Sequence, residues 1–233
     1  MEPEIIFADD GVIVLNKPPG LPVHGGGSVA GATLIDFLLA KFPEIAVVGD
    51  DPNVRPGIVH RLDKDTSGVM LVARTQERFL ELKKLFQARA IRKTYLAIVC
   101  GRPKNREGVI DVPIGRNIRN PTKRAIDHGR GDVSGARDAL TEYRTLRFGE
   151  KFSLVEFHPK TGRMHQLRIH AQSLGTPIAC DKKYGGARVC CPVGCSRQLL
   201  HAQSISFSLS PGNVQSFAAD PPDDFSLALK EIV

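Results

Sequence analysis

Residues 57–75, GIVHRLDKDTSGVMLVART, decide how this chain is read. The stretch opens on a short apolar run, Ile58-Val59, and closes on a second, residues 69–73. Between them stand His60, Arg61, Asp63, Lys64, Asp65, Thr66 and Ser67. Gly57 and Gly68 bracket the polar part, and glycine permits backbone angles and close approaches that other residues resist. The pattern predicts two buried strands joined by a charged loop. A buried carboxylate is costly unless it is paired, so an Asp63 that points inward implies use in chemistry. The other reading is a surface turn that happens to be charged, and these residues alone leave both open.

Working outward, residues 5–7 and 12–16 read as short strands around Asp9-Asp10-Gly11. Pro18-Pro19-Gly20 forces a loop. Gly25-Gly26-Gly27 extends it; the run lacks the Lys-Ser/Thr ending of a P-loop and reads as a bend. Residues 33–42 predict a helix, with Thr33 and Asp36 as a capping box and Leu34, Phe37, Leu38 and Lys41 on one face. Pro43 ends it, and a loop follows over 45–55. Beyond the central stretch, residues 77–89 predict an amphipathic helix buried through Phe79, Leu82, Leu85 and Phe86. Strand-like runs follow at 94–100, 109–114, 139–148 and 152–157. Met164, Leu167, Ala171 and Leu174 have helical spacing, which places a helix start and helix over 161–174. A late strand at 205–209 and a closing helix at 225–232 complete the pattern. Strands and helices in this irregular order, without repeat or linker, predict an α+β fold in a single domain, residues 1–233.

The chain has 233 residues, of which 42% are hydrophobic, enough for a sizeable core. Its formal net charge of +7 points to a polyanion, since lysine and arginine displace counterions from phosphates; a merely basic protein has the same balance. The basic, aperiodic segment 115–138, GRNIRNPTKRAIDHGRGDVSGARD, is either a plain hairpin loop or an arm. An arm would grip a phosphate backbone through Arg116, Arg119, Lys123, Arg124 and Arg130. No run approaches the roughly 18 apolar residues of a membrane helix. The acidic opening MEPEIIFADD lacks the order of a signal peptide, so the expected compartment is the cytoplasm. Five cysteines, an odd count without an export signal, argue against a disulfide framework. Cys191 and Cys195, with His201, offer part of a zinc set, but no second pair follows, so no metal is expected.

HRLDKDTSG (60–68) resembles the signature of the RluA-type pseudouridine synthases, which isomerise uridine in RNA to its C-glycoside. VIVLNKPPGLPVH (12–24) resembles the opening strand and loop of that family, RKTYLAIVCG (92–101) its tyrosine motif, and TGRMHQLRIHAQSLGTPIACDKKYGG (161–186) its third motif. RQLLHAQSISF (197–207) resembles its late strand, so the likeness runs over residues 5–228. It implies a large mixed, mostly antiparallel sheet with flanking helices and a central active-site cleft, here without the small S4 domain that many members carry. It implies Asp63 as the essential carboxylate and Asp65 as a structural neighbour. Tyr95 would stack on the uracil and serve proton transfer. Arg168 would be the basic partner of Asp63, with Arg163 and His165 as the fallback and as RNA contacts. Arg61 would fill the gap left by an extruded base, while His60 is expected to pack beneath the loop. Thr66 and Ser67 are expected to fix that loop by local hydroxyl bonds to backbone. The family's long basic hairpin favours the arm reading of 115–138. No cofactor or metal is implied. Ribosomal RNA is the first expected substrate, transfer RNA the second, and the protein is expected to be a monomer. An inactive RNA-binding module fits less well, because Asp63, Tyr95 and Arg168 are all present. A glycosidase pair formed by Asp63 and Asp65 would have to face each other across a bond, which neighbours on one loop seldom do.

Overall fold

The computed structural model describes residues 2–25, 31–210 and 212–232, so Gly26 and Gly27 of the triple glycine lie outside the described residues. The strands are β1 (Glu4–Ala8), β2 (Val12–Lys17), β3 (Ser67–Ala73), β4 (Arg92–Cys100), β5 (Glu107–Asp111), β6 (Ile114–Asn117), β7 (Arg124–Ile126), β8 (Val133–Arg137), β9 (Leu140–Arg147), β10 (Phe152–Pro159), β11 (Leu200–Ser210) and β12 (Asn213–Ala218). The helices are α1 (Leu34–Lys41), α2 (Gln76–Gln87), α3 (Gln166–Ser173) and α4 (Asp223–Ala228). This is an α+β chain with mostly antiparallel strands. It groups into two compact units, Met1–Lys93 with His201–Pro222, and Thr94–Leu200 with Asp223–Val233. Among the described residues no helix is long and apolar enough to cross a membrane.

In the first unit, β1, β2, β3 and β11 are successive neighbours, and β12 pairs with β11. The β1–β2 turn is held by Asp9, whose Oδ1 accepts the Gly11 and Val12 N–H groups at 2.8 and 2.7 Å. All seven residues of β3 are buried, as expected of a strand covered on both faces. It runs antiparallel to β2 and parallel to β11. α1 starts at the predicted capping box: the Thr33 hydroxyl accepts the Asp36 N–H, and the Asp36 carboxylate accepts the Thr33 N–H at 2.7 Å. α2 buries Phe79 and Leu82 in a cluster with Val69, Leu71 and Ala73 of β3, each large side chain contributing about 1.5–3 kcal/mol of transfer free energy.

In the second unit, β4, β10, β9 and β5 form antiparallel pairs. Segment 115–138 contributes to a small sheet: β6 pairs on one side with β7 and on the other with β8. Helix α3 buries Leu167 and Ala171 with Val155, Phe157 and Ile178, and Ile169 with Ile114, Ala139 and Tyr184. The base of the arm and the helix therefore share a core.

Several expectations are corrected. The run Ile58-Val59 is not a strand; Ile58 makes a single bridge to Val72, because Gly57 turns the chain at φ +68°. The strand expected over 109–114 breaks between β5 and β6, where Pro113 has no N–H to continue a ladder. The strand β12 was not foreseen, and its residues are exposed or only half-buried. Two disulfides, Cys100–Cys190 and Cys180–Cys191, replace the expected thiols and leave Cys195 free. The loop after α3 brings adjacent Cys190 and Cys191 to partners whose Cα atoms lie 5.7 and 4.7 Å away, within disulfide range.

Gly68 has φ +114°, and a Cβ there would lie 2.6 Å from the backbone nitrogen of Ala202. Both the angle and the space exclude a side chain. Gly68→Ala is expected to destabilise the fold by about 3 kcal/mol or more, measured by urea denaturation. A loss below 1 kcal/mol would show that β11 does not approach β3 this closely.

Candidate functional site

The Asp63 turn belongs to the first unit. The Asp63 carbonyl accepts the Thr66 N–H at 3.1 Å, closing a tight turn in which Asp63 and Asp65 are half-buried and Lys64 is exposed. The fully buried Lys17 side chain reaches this turn from the end of β2. Its Nζ donates to the carbonyls of Pro18, Leu21 and Lys64 at 2.8, 2.9 and 2.9 Å. One ammonium thus ties the Pro18-Pro19-Gly20 loop to the residue after Asp63. The far end of the turn is held by His201, whose Nε2 lies 2.9 Å from the Ala219 carbonyl. That acceptor places the ring proton on Nε2, so Nδ1 accepts from the Ser67 hydroxyl at 3.0 Å. Ser67 is therefore fixed by a distant imidazole and not by the local backbone bond expected, and the buried Thr66 hydroxyl has no hydrogen-bond partner among the described residues.

Arg61 is exposed, and its guanidinium donates to His24 Nε2 at 3.2 Å. His60 packs beneath the turn as expected. Its Nε2 accepts the Leu71 N–H at 2.9 Å and its ring stacks on Phe86 at 5.0 Å. Burial, and then the nearby Lys93 charge, lower its pKa to about 3. Burial also lowers Lys93, to about 8.

Tyr95 and Arg168 belong to the second unit. Tyr95 is half-buried on β4 opposite Phe157 of β10 and packs against the cluster that includes Val155 and Leu167. Arg168 lies on α3 and is 7% exposed. Its Nε and Nη2 fork onto the two oxygens of Asp181 at 2.7 and 2.8 Å. Asp181, itself buried, also accepts the Lys183 and Tyr184 N–H groups. A buried ion pair is tolerable when its remaining hydrogen-bonding capacity is filled in this way. The Arg168 guanidinium also lies over the Tyr184 ring at 5.1 Å. The Tyr184 hydroxyl accepts the Arg124 N–H at 3.0 Å and lies 2.6 Å from His165 Nδ1.

Arg163 and His165 are not on the helix, as the spacing suggested, but on the turn before it. His165 is the N-cap residue at φ +58°, a left-handed angle rare outside glycine. The turn is held by the buried Gln166 amide. Its oxygen accepts from the Thr161 hydroxyl and the Arg163 N–H, while its nitrogen donates to the Leu140 carbonyl and the Thr141 hydroxyl.

The arm brings Arg116, Arg124 and Arg163 together with Arg137 around a cavity of about 460 Å³. Among the described residues no carboxylate lines it. Gly115 in its wall lets β6 lie against β8, since a Cβ there would fall 2.7 Å from the Ser134 carbonyl oxygen. Arg116 and Arg124 are direct cross-strand partners, and like charges so placed are destabilising until an anion neutralises them. Arg119 and Arg130 are exposed and Lys123 half-exposed, outside this cavity. Lys17, Asp181, Tyr184 and Arg137 escaped the reading of the sequence. The first ends a strand that opens on four apolar residues, and the next two stand in the quoted DKKYGG without a role assigned.

A model of RNA pseudouridylate synthases matches residues 11–173, which include the Asp63 turn, Tyr95, the arm and α3. The chain belongs to the RNA pseudouridylate synthase family. It is 41% identical over 219 residues to an RNA pseudouridine synthase of Chloroflexus aurantiacus described as uncharacterized, with 93% of this chain and 65% of that protein covered. It is 38% identical over 226 residues to the ribosomal large subunit pseudouridine synthase D of Borreliella burgdorferi, covering 97% of this chain and 67% of that protein. The chain thus spans about two thirds of the length of these relatives, and less than that for the first. The solved structure of human RNA pseudouridylate synthase domain containing 4 superposes with a TM-score of 0.77 at 28% identity, over 98% of this chain and 92% of that one. The human domain-containing 1 protein gives 0.75 at 25%, over 94% and 83%.

The buried imidazole makes stability depend on pH. His60 titrates near 3 in the folded chain and near 6.5 when unfolded. Between these values the unfolded state binds more protons, so stability falls as pH drops from about 6.5 toward 3. His170, lowered by burial to about 4, acts in the same direction. His60→Gln keeps an acceptor for the Leu71 N–H and removes one titration. The variant is expected to lose up to about 3 kcal/mol less than the wild type between pH 7 and pH 4, read by urea denaturation at both values. Equal losses would refute the buried neutral imidazole.

Proposed function

We propose that this chain isomerises uridine to pseudouridine in structured RNA, with Asp63 as the essential carboxylate. The observation that carries this reading is the Asp63 turn, pinned through Lys64 by the buried Lys17 in a member of this family. The reaction breaks the C1′–N1 bond, turns the base and joins C1′ to C5, so it imports no group and needs no cofactor or metal. A carboxylate suits it, either by taking up the sugar carbon or by assisting sugar deprotonation. Tyr95 offers a ring to stack on uracil and a hydroxyl to move a proton at C5. Arg168 is the basic residue that this reading assigns to the reaction, and Asp181 fixes the plane of its guanidinium. Arg61 occupies the space an extruded base leaves in the RNA. Arg116, Arg119, Lys123 and Arg124 of the arm, with Arg163 and His165, contact the RNA backbone. Ribosomal RNA is the substrate favoured, because several relatives carry the name ribosomal large subunit pseudouridine synthase D. The protein then acts as a monomer in the cytoplasm.

Asp63→Asn is expected to abolish pseudouridine formation while RNA affinity stays within about twofold, since the phosphate contacts lie elsewhere. Asp65→Asn is expected to keep substantial activity. Carbodiimide labelling with primer extension on RNA treated with each purified variant measures both. Turnover by Asp63→Asn overturns the assignment.

Neutralising Arg119, Lys123 and Arg124 together is expected to weaken RNA binding and flatten its salt dependence. Each lost phosphate contact lowers the slope of log K against log salt by about 0.7–0.9. An unchanged slope assigns these side chains to solvent.

A further inference from the structure

Tyr184 meets three parts of the second unit at once. It is buried, and it packs with Ile114, Ala139 and Ile169. Its N–H donates to Asp181 Oδ1 at 3.1 Å, which ties its backbone to the carboxylate that grips Arg168. Its ring lies against the Arg168 guanidinium, 5.1 Å from carbon to centroid, within reach of a cation–π contact. Its hydroxyl accepts the Arg124 N–H of β7 at 3.0 Å and lies 2.6 Å from His165 Nδ1 on the turn before α3.

The two ends of this side chain bear on different groups. The oxygen holds β7 and the turn, and Arg124 of the one and Arg163 of the other both line the arginine cavity. Without that oxygen the Arg124 N–H and the imidazole lose a partner, and the elements they belong to lose a tie. The ring is needed for neither bond; it gives Arg168 an aromatic face, beside the fork from Asp181. We infer that Tyr184 is a positioning residue with two separable roles: its hydroxyl keeps the phosphate-gripping groups in register, and its ring seats Arg168 for turnover. The inference rests on the proposed isomerisation of RNA and adds to it a residue that touches no reacting atom.

The test is filter binding and steady-state kinetics with an unmodified transcript of large ribosomal subunit RNA, isomerisation being read by carbodiimide labelling with primer extension. Tyr184→Phe keeps the ring and deletes the oxygen. It is expected to raise KM and the RNA dissociation constant together by roughly fivefold to tenfold, about what one or two hydrogen bonds are worth, and to keep kcat within about twofold of the wild type. Tyr184→Met fills most of the same space without an aromatic face, and its kcat is expected to fall about tenfold below that of Tyr184→Phe. A tyrosine that only supports the fold would lower the folded fraction, which urea denaturation reads, and would leave KM unchanged. RNA affinity in Tyr184→Phe within about twofold of the wild type, a larger loss of kcat in that variant, or equal kcat in the two variants overturns the inference. The nearly isosteric Phe variant decides by its split of KM from kcat, so a misfolded Tyr184→Met does not blunt the test. RNA binding needs no turnover: undiminished affinity in Tyr184→Phe defeats this inference alone, and a wild type that binds the transcript without isomerising any uridine defeats the catalytic reading alone.

Discussion

A single buried ammonium holds the candidate catalytic turn in place. Taking a lysine out of water is expensive unless its three N–H groups find acceptors. For Lys17 the carbonyls of Pro18, Leu21 and Lys64 serve, two from the loop that follows β2 and one from the turn that bears Asp63. The loop and the turn therefore cannot move independently. The close approach of Gly68 to Ala202 and the His201 bridge from Ser67 to Ala219 constrain the turn from its other end. Asp63 thus sits between anchors that are themselves buried, the arrangement in which a reactive side chain is positioned most accurately.

In the second unit the corresponding task falls to Asp181 and Tyr184. Asp181 is placed by backbone N–H donors and grips Arg168 through two bonds, which sets the guanidinium plane. Tyr184 adds an aromatic face to that arginine and a hydroxyl shared between the arm and the turn before α3. A displacement of β7 would thus be felt at His165 through one phenol oxygen.

What could be read from the sequence was what is encoded locally. The Thr33–Asp36 capping box marked the start of α1, the apolar runs marked β2, β3 and β10, and the Phe79–Leu82 stripe marked the buried face of α2. The family and its motif residues were legible because the motifs are long. What escaped depends on partners far along the chain. β12 has no buried residue to give it a pattern and exists because β11 supplies a ladder. The arm looked aperiodic because its strands are short and their charged residues face each other across the sheet. The cysteine count pointed away from disulfides, since pairing Cys100 with Cys190 requires a fold that closes 90 residues of chain. Asp181 lies 13 residues beyond the arginine it holds, across a loop no local rule could close.

The parallel pairing of β3 with β11 has a consequence for how the protein is made. Ser67 and its partner His201 are separated by 134 positions. A ribosome adding about 5–20 residues per second needs roughly 7–27 s to supply the second after the first. During that interval the nascent chain holds the Asp63 turn with one flank of β3 uncovered, since β11 has yet to be synthesised. The Asp63 turn is therefore among the last parts of the first unit to mature, although it lies in the first third of the polypeptide.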